Sequence, residues 1–181
     1  MGSEVLKIFL PAFIVVFVLI TFFWKWFRRL IRLEVYRSLE QTVSYKRVKR
    51  INGVFLVLFF LFVIMTFVYS LFPEMYFVFV PFESFDHPMI NSAGVLLLKA
   101  ALIWMIVAQL HIDKELYKYS RRSGDLKLME LVYFSERMFL GGLTVMFVGM
   151  FVTITNLIGI LAALVSLYFY YKFILKDKVL N

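Results

Sequence analysis

Glu136-Arg137 followed by MFLGGLTVMFVGMFVTITNLIGILAALVSLYFYYKF, residues 138–173, decides how the rest of the chain is read. This apolar run is nearly twice as long as one membrane crossing, which takes ~20 residues of helix. Its one natural break is the polar knot Thr153, Thr155 and Asn156. A turn there predicts two short spans, 138–152 and 157–175, folded as a carboxyl-terminal helical hairpin. The hairpin returns Lys172, Lys176, Asp177 and Lys178 to the membrane face that holds Glu136 and Arg137. Charges gathered at one face in this way are the first candidate for a site.

Composition supports reading such runs as membrane spans. Of the 181 residues 62% are hydrophobic, and the mean hydropathy is +0.86. A soluble domain of this size has too little interior to hide so much apolar surface. The expectation is therefore an all-α, polytopic integral membrane protein, with residues 1–181 forming a single membrane domain. Cysteine is absent, which excludes disulfides, a thiol nucleophile and a thiolate metal site. The net charge of +8 sits beside the apolar runs, which favours membrane orientation and anionic lipid headgroups over nucleic acid. No cleavable leader is expected, because Glu4 and Lys7 precede the first run and no small-residue cleavage pattern follows it.

Three further spans are predicted, at about 5–24, 51–72 and 92–110, making five transmembrane helices. Between the first two, Lys25 to Arg50 holds nine Lys or Arg residues against Glu34 and Glu40. Trp24, Phe27, Ile31, Val35 and Leu39 recur there at helical spacing, which predicts an interfacial amphipathic basic helix on the cytoplasmic face. The loop from Pro73 to Asn91 carries Glu74, Glu83 and Asp86 but no Lys or Arg, so it belongs outside. Glu83, Asp86 and His87 have no second histidine on that side and read as a surface loop, not a metal site.

Gly94, Ala101 and Ala108 repeat every seven residues along the third span, a seam where another helix can approach closely. Lys99 interrupts that span at a cost of ~3 kcal/mol on insertion scales; it lies nearer the outer end and is expected to snorkel. His111 to Glu130 reads as a charged cytoplasmic loop turning at Ser123-Gly124-Asp125, with His111 an interfacial residue. The resulting topology has its amino terminus outside and its carboxyl terminus in the cytoplasm.

No phosphate-cradling glycine loop, zinc-helix motif or nucleophile elbow is present. A transporter needs several polar groups at mid-bilayer, and only Lys99 qualifies. Polar groups concentrate instead at the cytoplasmic ends of the last three spans.

Over roughly residues 100–180, that arrangement of span, charged segment, short hairpin and charged tail resembles the integral-membrane methyltransferases. That superfamily includes isoprenylcysteine carboxyl methyltransferases and phospholipid N-methyltransferases. Its members carry Arg-His-Pro-x-Tyr-x-Gly going into the hairpin and an acidic pair leaving it. Here Ser135, Glu136 and Arg137 stand at the first three positions, Phe139 at the tyrosine and Gly141 at the glycine, the one identity. Lys176-Asp177 stands where the acidic pair falls.

The resemblance implies a protein that binds S-adenosylmethionine and methylates a lipid or prenylated substrate. Glu136, Phe139, Gly141 and Asp177 would bind the cofactor, and Arg122 and Arg137 an anionic substrate headgroup. No catalytic residue and no metal ligand are implied. The alternative is a catalytically silent relative, serving as a structural or lipid-binding subunit beside a membrane-protein partner. His87-Pro88-Met89 repeats part of the motif literally, but on the acidic face and before a single span.

Overall fold

A computed structural model describes the backbone of residues 3–31, 43–82, 85, 87–120 and 125–178, and most side chains in its apolar parts. Five α-helices are described: α1 (Ser3–Ile31), α2 (Val43–Leu71), α3 (Pro88–Ser120), α4 (Asp125–Thr153) and α5 (Leu157–Lys178). A 3-10 helix, Pro73–Phe79, follows α2. Helices suit this sequence because hydrocarbon offers no partner to a backbone amide, so each segment must satisfy its own.

Three stretches are long and apolar enough to cross a membrane: Glu4–Trp24, Asn52–Leu71 and Pro88–His111. Two shorter apolar stretches, Arg137–Thr153 and Leu157–Lys172, complete the set. Glu4–Trp24 has a mean hydropathy of 2.7, yet only 28% of it is buried inside the protein. On α1, Leu10, Phe13 and Phe17 are buried while Ile8, Leu19 and Phe22 are exposed. A helix greasy on both faces is stable only where lipid is the solvent for the outer one.

The helices pack as a row with a branched middle. α1 lies against α2, α2 meets both α4 and α5, and α3 packs along α4 in the most extensive interface. The centre is aromatic: Phe147 of α4 stacks on Phe62 of α2 with ring centroids 5.1 Å apart, and Phe55 lies 5.8 Å away. Leu58, Met65, Leu98, Met146 and Met150 fill in around these rings.

The α3–α4 interface rests on absent side chains. A Cβ on Gly149 would stand 3.1 Å from Leu97 Cβ and from Leu98 N. One on Gly94 would stand 2.8 Å from Thr153 Cα, and one on Gly142 would strike Met105. Pairing 94 with 153, 98 with 149 and 105 with 142 gives two antiparallel helices in constant register. The contacts fall four and seven residues apart on each helix, so they line one face of each. Ala101 and Ala108 are buried, completing the seam anticipated on α3.

Three helix boundaries around the charged segment differ from the sequence reading. α3 starts at Pro88 and continues to Ser120, and α4 already begins at Asp125. Most of the charged segment expected as a loop is therefore helix. Of Lys25 to Arg50, the first part is the end of α1, the last part the beginning of α2, and residues 32–42 lie outside the described residues. Lys99 is exposed, and the α3–α4 register sets it level with residue 148, nearer the Thr153 end of α4 than the Arg137 end.

Candidate functional site

Polar side chains meet at two ends of the bundle. The better defined end is the break between α4 and α5. Asn156 is fully buried, and its Oδ1 accepts from the backbone N–H of Gly159 at 2.6 Å, capping the first turn of α5. Its Nδ2 donates to the Tyr76 hydroxyl at 2.6 Å and to the Ile154 carbonyl at 2.5 Å. Tyr76 in turn donates to the same carbonyl at 3.0 Å.

Backbone bonds fasten the adjoining strands of chain: Phe82 N–H to Thr155 O at 3.1 Å, and Leu157 N–H to Val80 O at 3.0 Å. Pro81 and Asn156 thus form an isolated antiparallel bridge. Val80 takes φ of 53°, a strained value for a β-branched residue that these bonds on either side hold in place. Asn156 uses its oxygen and its amide group within the protein. Such a carboxamide fastens the fold.

The other end carries the residues that the family resemblance singles out. Arg122, and the side chains of Glu136 and Asp177, lie outside the described residues. Arg137 and Phe139 are half-buried, and Phe139 packs on the core. Gly141 is buried, and a Cβ there would stand 3.0 Å from the Tyr170 hydroxyl and 3.4 Å from its ring carbon Cζ. The space beside this glycine is filled by α5. Next to it, Trp104 Nε1 donates to the Met138 carbonyl at 3.2 Å, tying α3 to α4 at the same level.

The Gly141–Tyr170 contact also fixes how α5 runs beside α4. The two positions lie about equally far from the break at Asn156, so the helices are antiparallel and Lys172 comes back to the level of Arg137 or close to it.

No family model, curated protein or solved structure matches this chain.

His87-Pro88-Met89 has a structural role. Met89 N–H donates to His87 Nδ1 at 3.3 Å, and Asn91 N–H to His87 O at 3.0 Å, with Pro88 as the first residue of α3. Proline suits a first helical position because its missing N–H would have no partner there. Among the described residues no three His, Asp or Glu side chains come together as metal ligands. Tyr76 is the residue that sequence reasoning missed. It reads as one more interfacial aromatic, and nothing local ties it to Asn156, 80 positions away.

Proposed function

We propose that this chain is a five-span membrane protein, with its amino terminus outside, that serves as a non-catalytic helical subunit of a membrane complex. The observation that carries this reading is the surroundings of Gly141. The one motif position that matches the methyltransferases by identity is filled by Tyr170, and its neighbour Gly142 by Met105. Both glycines work as contact points between helices, which is what small residues do in membranes. The basic residues from Lys25 to Arg50 would rest on anionic lipid headgroups at the cytoplasmic surface.

Calorimetry on the detergent-purified protein tests it. S-adenosylmethionine and S-adenosylhomocysteine are expected to give no binding heat at millimolar concentration. Binding that weakens in Glu136→Ala and Asp177→Ala would overturn the reading.

A second reading, an S-adenosylmethionine-dependent methyltransferase acting on a lipid or prenylated substrate, is favoured by the antiparallel course of α4 and α5. That course supports a transmembrane hairpin whose two charged ends share one membrane face. Glu136, Phe139, Gly141 and Asp177 would then hold the cofactor, with Arg122 and Arg137 on the substrate. The calorimetry decides between the two. Orientation has its own test, because the chain lacks cysteine. Ser84→Cys should react with an impermeant maleimide from outside and Ser123→Cys should not; the reverse pattern would invert the topology.

A further inference from the structure

Serine and threonine hydroxyls inside an apolar helix commonly donate to a carbonyl one turn back. Ser92, Thr144 and Thr153 do so, at 2.8, 2.9 and 2.7 Å, and Ser166 donates to the Ala163 carbonyl at 2.7 Å. Two hydroxyls of α2 do not. Thr66 is fully buried, Ser70 is half-buried with a buried Oγ, and neither oxygen has a hydrogen-bond partner among the described residues. Four residues apart, they sit side by side on one face of the helix, with Cβ atoms ~5–6 Å from each other.

Their surroundings change from apolar to polar. Phe62, one turn before Thr66, stacks on Phe147. Tyr69, one turn before the end of the pair's reach, packs on Tyr76 with ring centroids 5.1 Å apart, and Tyr76 holds Asn156. The pair thus stands where the aromatic centre gives way to the polar fastening. α5 also packs against α2, and its inward side is built from Gly159, Ala162, Ala163 and Ser166, residues of small volume.

A buried hydroxyl with no partner loses its hydration without compensation. One water is the right size to restore it: contacts of ~2.8 Å to each oxygen bridge a gap of up to ~5.6 Å. Two hydroxyls also meet the smallest set of partners that holds a buried water. A hard cation fits less well, because it takes about six or more oxygen ligands. The acidic residue nearest in sequence, Glu74, is exposed.

We propose that one water molecule is bound inside the bundle, bridging the hydroxyls of Thr66 and Ser70. The site is independent of the subunit and methyltransferase readings and holds under either. The water accepts from one hydroxyl and donates to the other, so the two side chains act as a single polar unit.

The test is a crystal structure of the full chain grown from a lipid phase, at a resolution that shows ordered water. One density peak is expected within ~3 Å of both oxygens. It should persist in Thr66→Ser and disappear in Thr66→Val. An empty site overturns the proposal, as do hydroxyls turned onto the carbonyls of Phe62 and Thr66. A peak with several oxygens closer than ~2.6 Å is a cation and overturns it as well.

Unfolding in rising dodecyl sulfate gives a second reading without crystals. Thr66→Val and Ser70→Ala should each lower the folding equilibrium constant about fivefold, and the double variant by little more than about fivefold, because either change releases the same water. A double variant that falls by the full product, about 25-fold, or a Thr66→Val protein more stable than wild type, overturns the bridge.

Discussion

Replacing Asn156 with alanine removes three hydrogen bonds at once, so its cost can be worked from the geometry. The cap on Gly159 N–H is lost, worth ~1 kcal/mol. The bond to the Tyr76 hydroxyl is worth a further ~0.6–1 kcal/mol in a membrane interior. The Ile154 carbonyl keeps Tyr76 as a donor at 3.0 Å, so losing the Asn156 bond to it adds little. The void left by a fully buried side chain adds about 1 kcal/mol.

The sum is about 2–3 kcal/mol, measured as unfolding in mixed micelles with rising dodecyl sulfate, followed by tryptophan fluorescence. Tyr76→Phe should cost ~1 kcal/mol, since the Asn156 amide loses its acceptor. Asn156→Ser keeps a good cap and should recover about 1 kcal/mol of the alanine loss. The double variant Asn156→Ala/Tyr76→Phe should fall short of the summed single losses by roughly 0.5–1 kcal/mol. A loss below about 0.5 kcal/mol in Asn156→Ala, or strict additivity in the double variant, would refute the network as a stabilising unit.

Three other outcomes are expected in the same assay. Gly94→Ala should destabilise by about 1–3 kcal/mol, because its new methyl group meets the Thr153 backbone. Gly53→Ala should stabilise by up to ~1 kcal/mol, because nothing lies within 4 Å of a Cβ there and alanine is the better helix former. Val80→Pro should cost ~3 kcal/mol or more, since proline cannot take φ of 53° and would lose the bond from Val80 N–H to Phe77 O; Val80→Gly should be close to neutral. A Val80→Pro protein as stable as wild type would show that this turn is not held as described.

The sequence carries the helices better than their contacts. Apolar runs mark α1, α2 and the membrane-length part of α3 because lipid-facing and core-facing residues are both greasy, and length alone marks a span. The end of α4 at Thr153 is legible in the polar knot, since Asn156 is a good cap for the first turn of α5. The far end of α3 is harder to see. Asp113, Lys114 and Glu115 suggest a loop, although Ile112, Leu116 and Tyr119 keep helical spacing through them.

Pro88 reads with the loop when it is the first residue of α3. For the candidate site, the glycines of α4 are legible as packing positions, but not their partners. Tyr170 and Met105 are set against Gly141 and Gly142 by the register of three helices, which no single stretch encodes.

The fastening at Asn156 has a mechanical consequence. It joins the connection between α2 and α3 to the connection between α4 and α5 through one side-chain network and two backbone bonds. Four helices are therefore clasped at one end, like the riveted end of a fan. The end of α2 and the start of α3 are thereby locked to the end of α4 and the start of α5, so a shift in one connection is passed directly to the other.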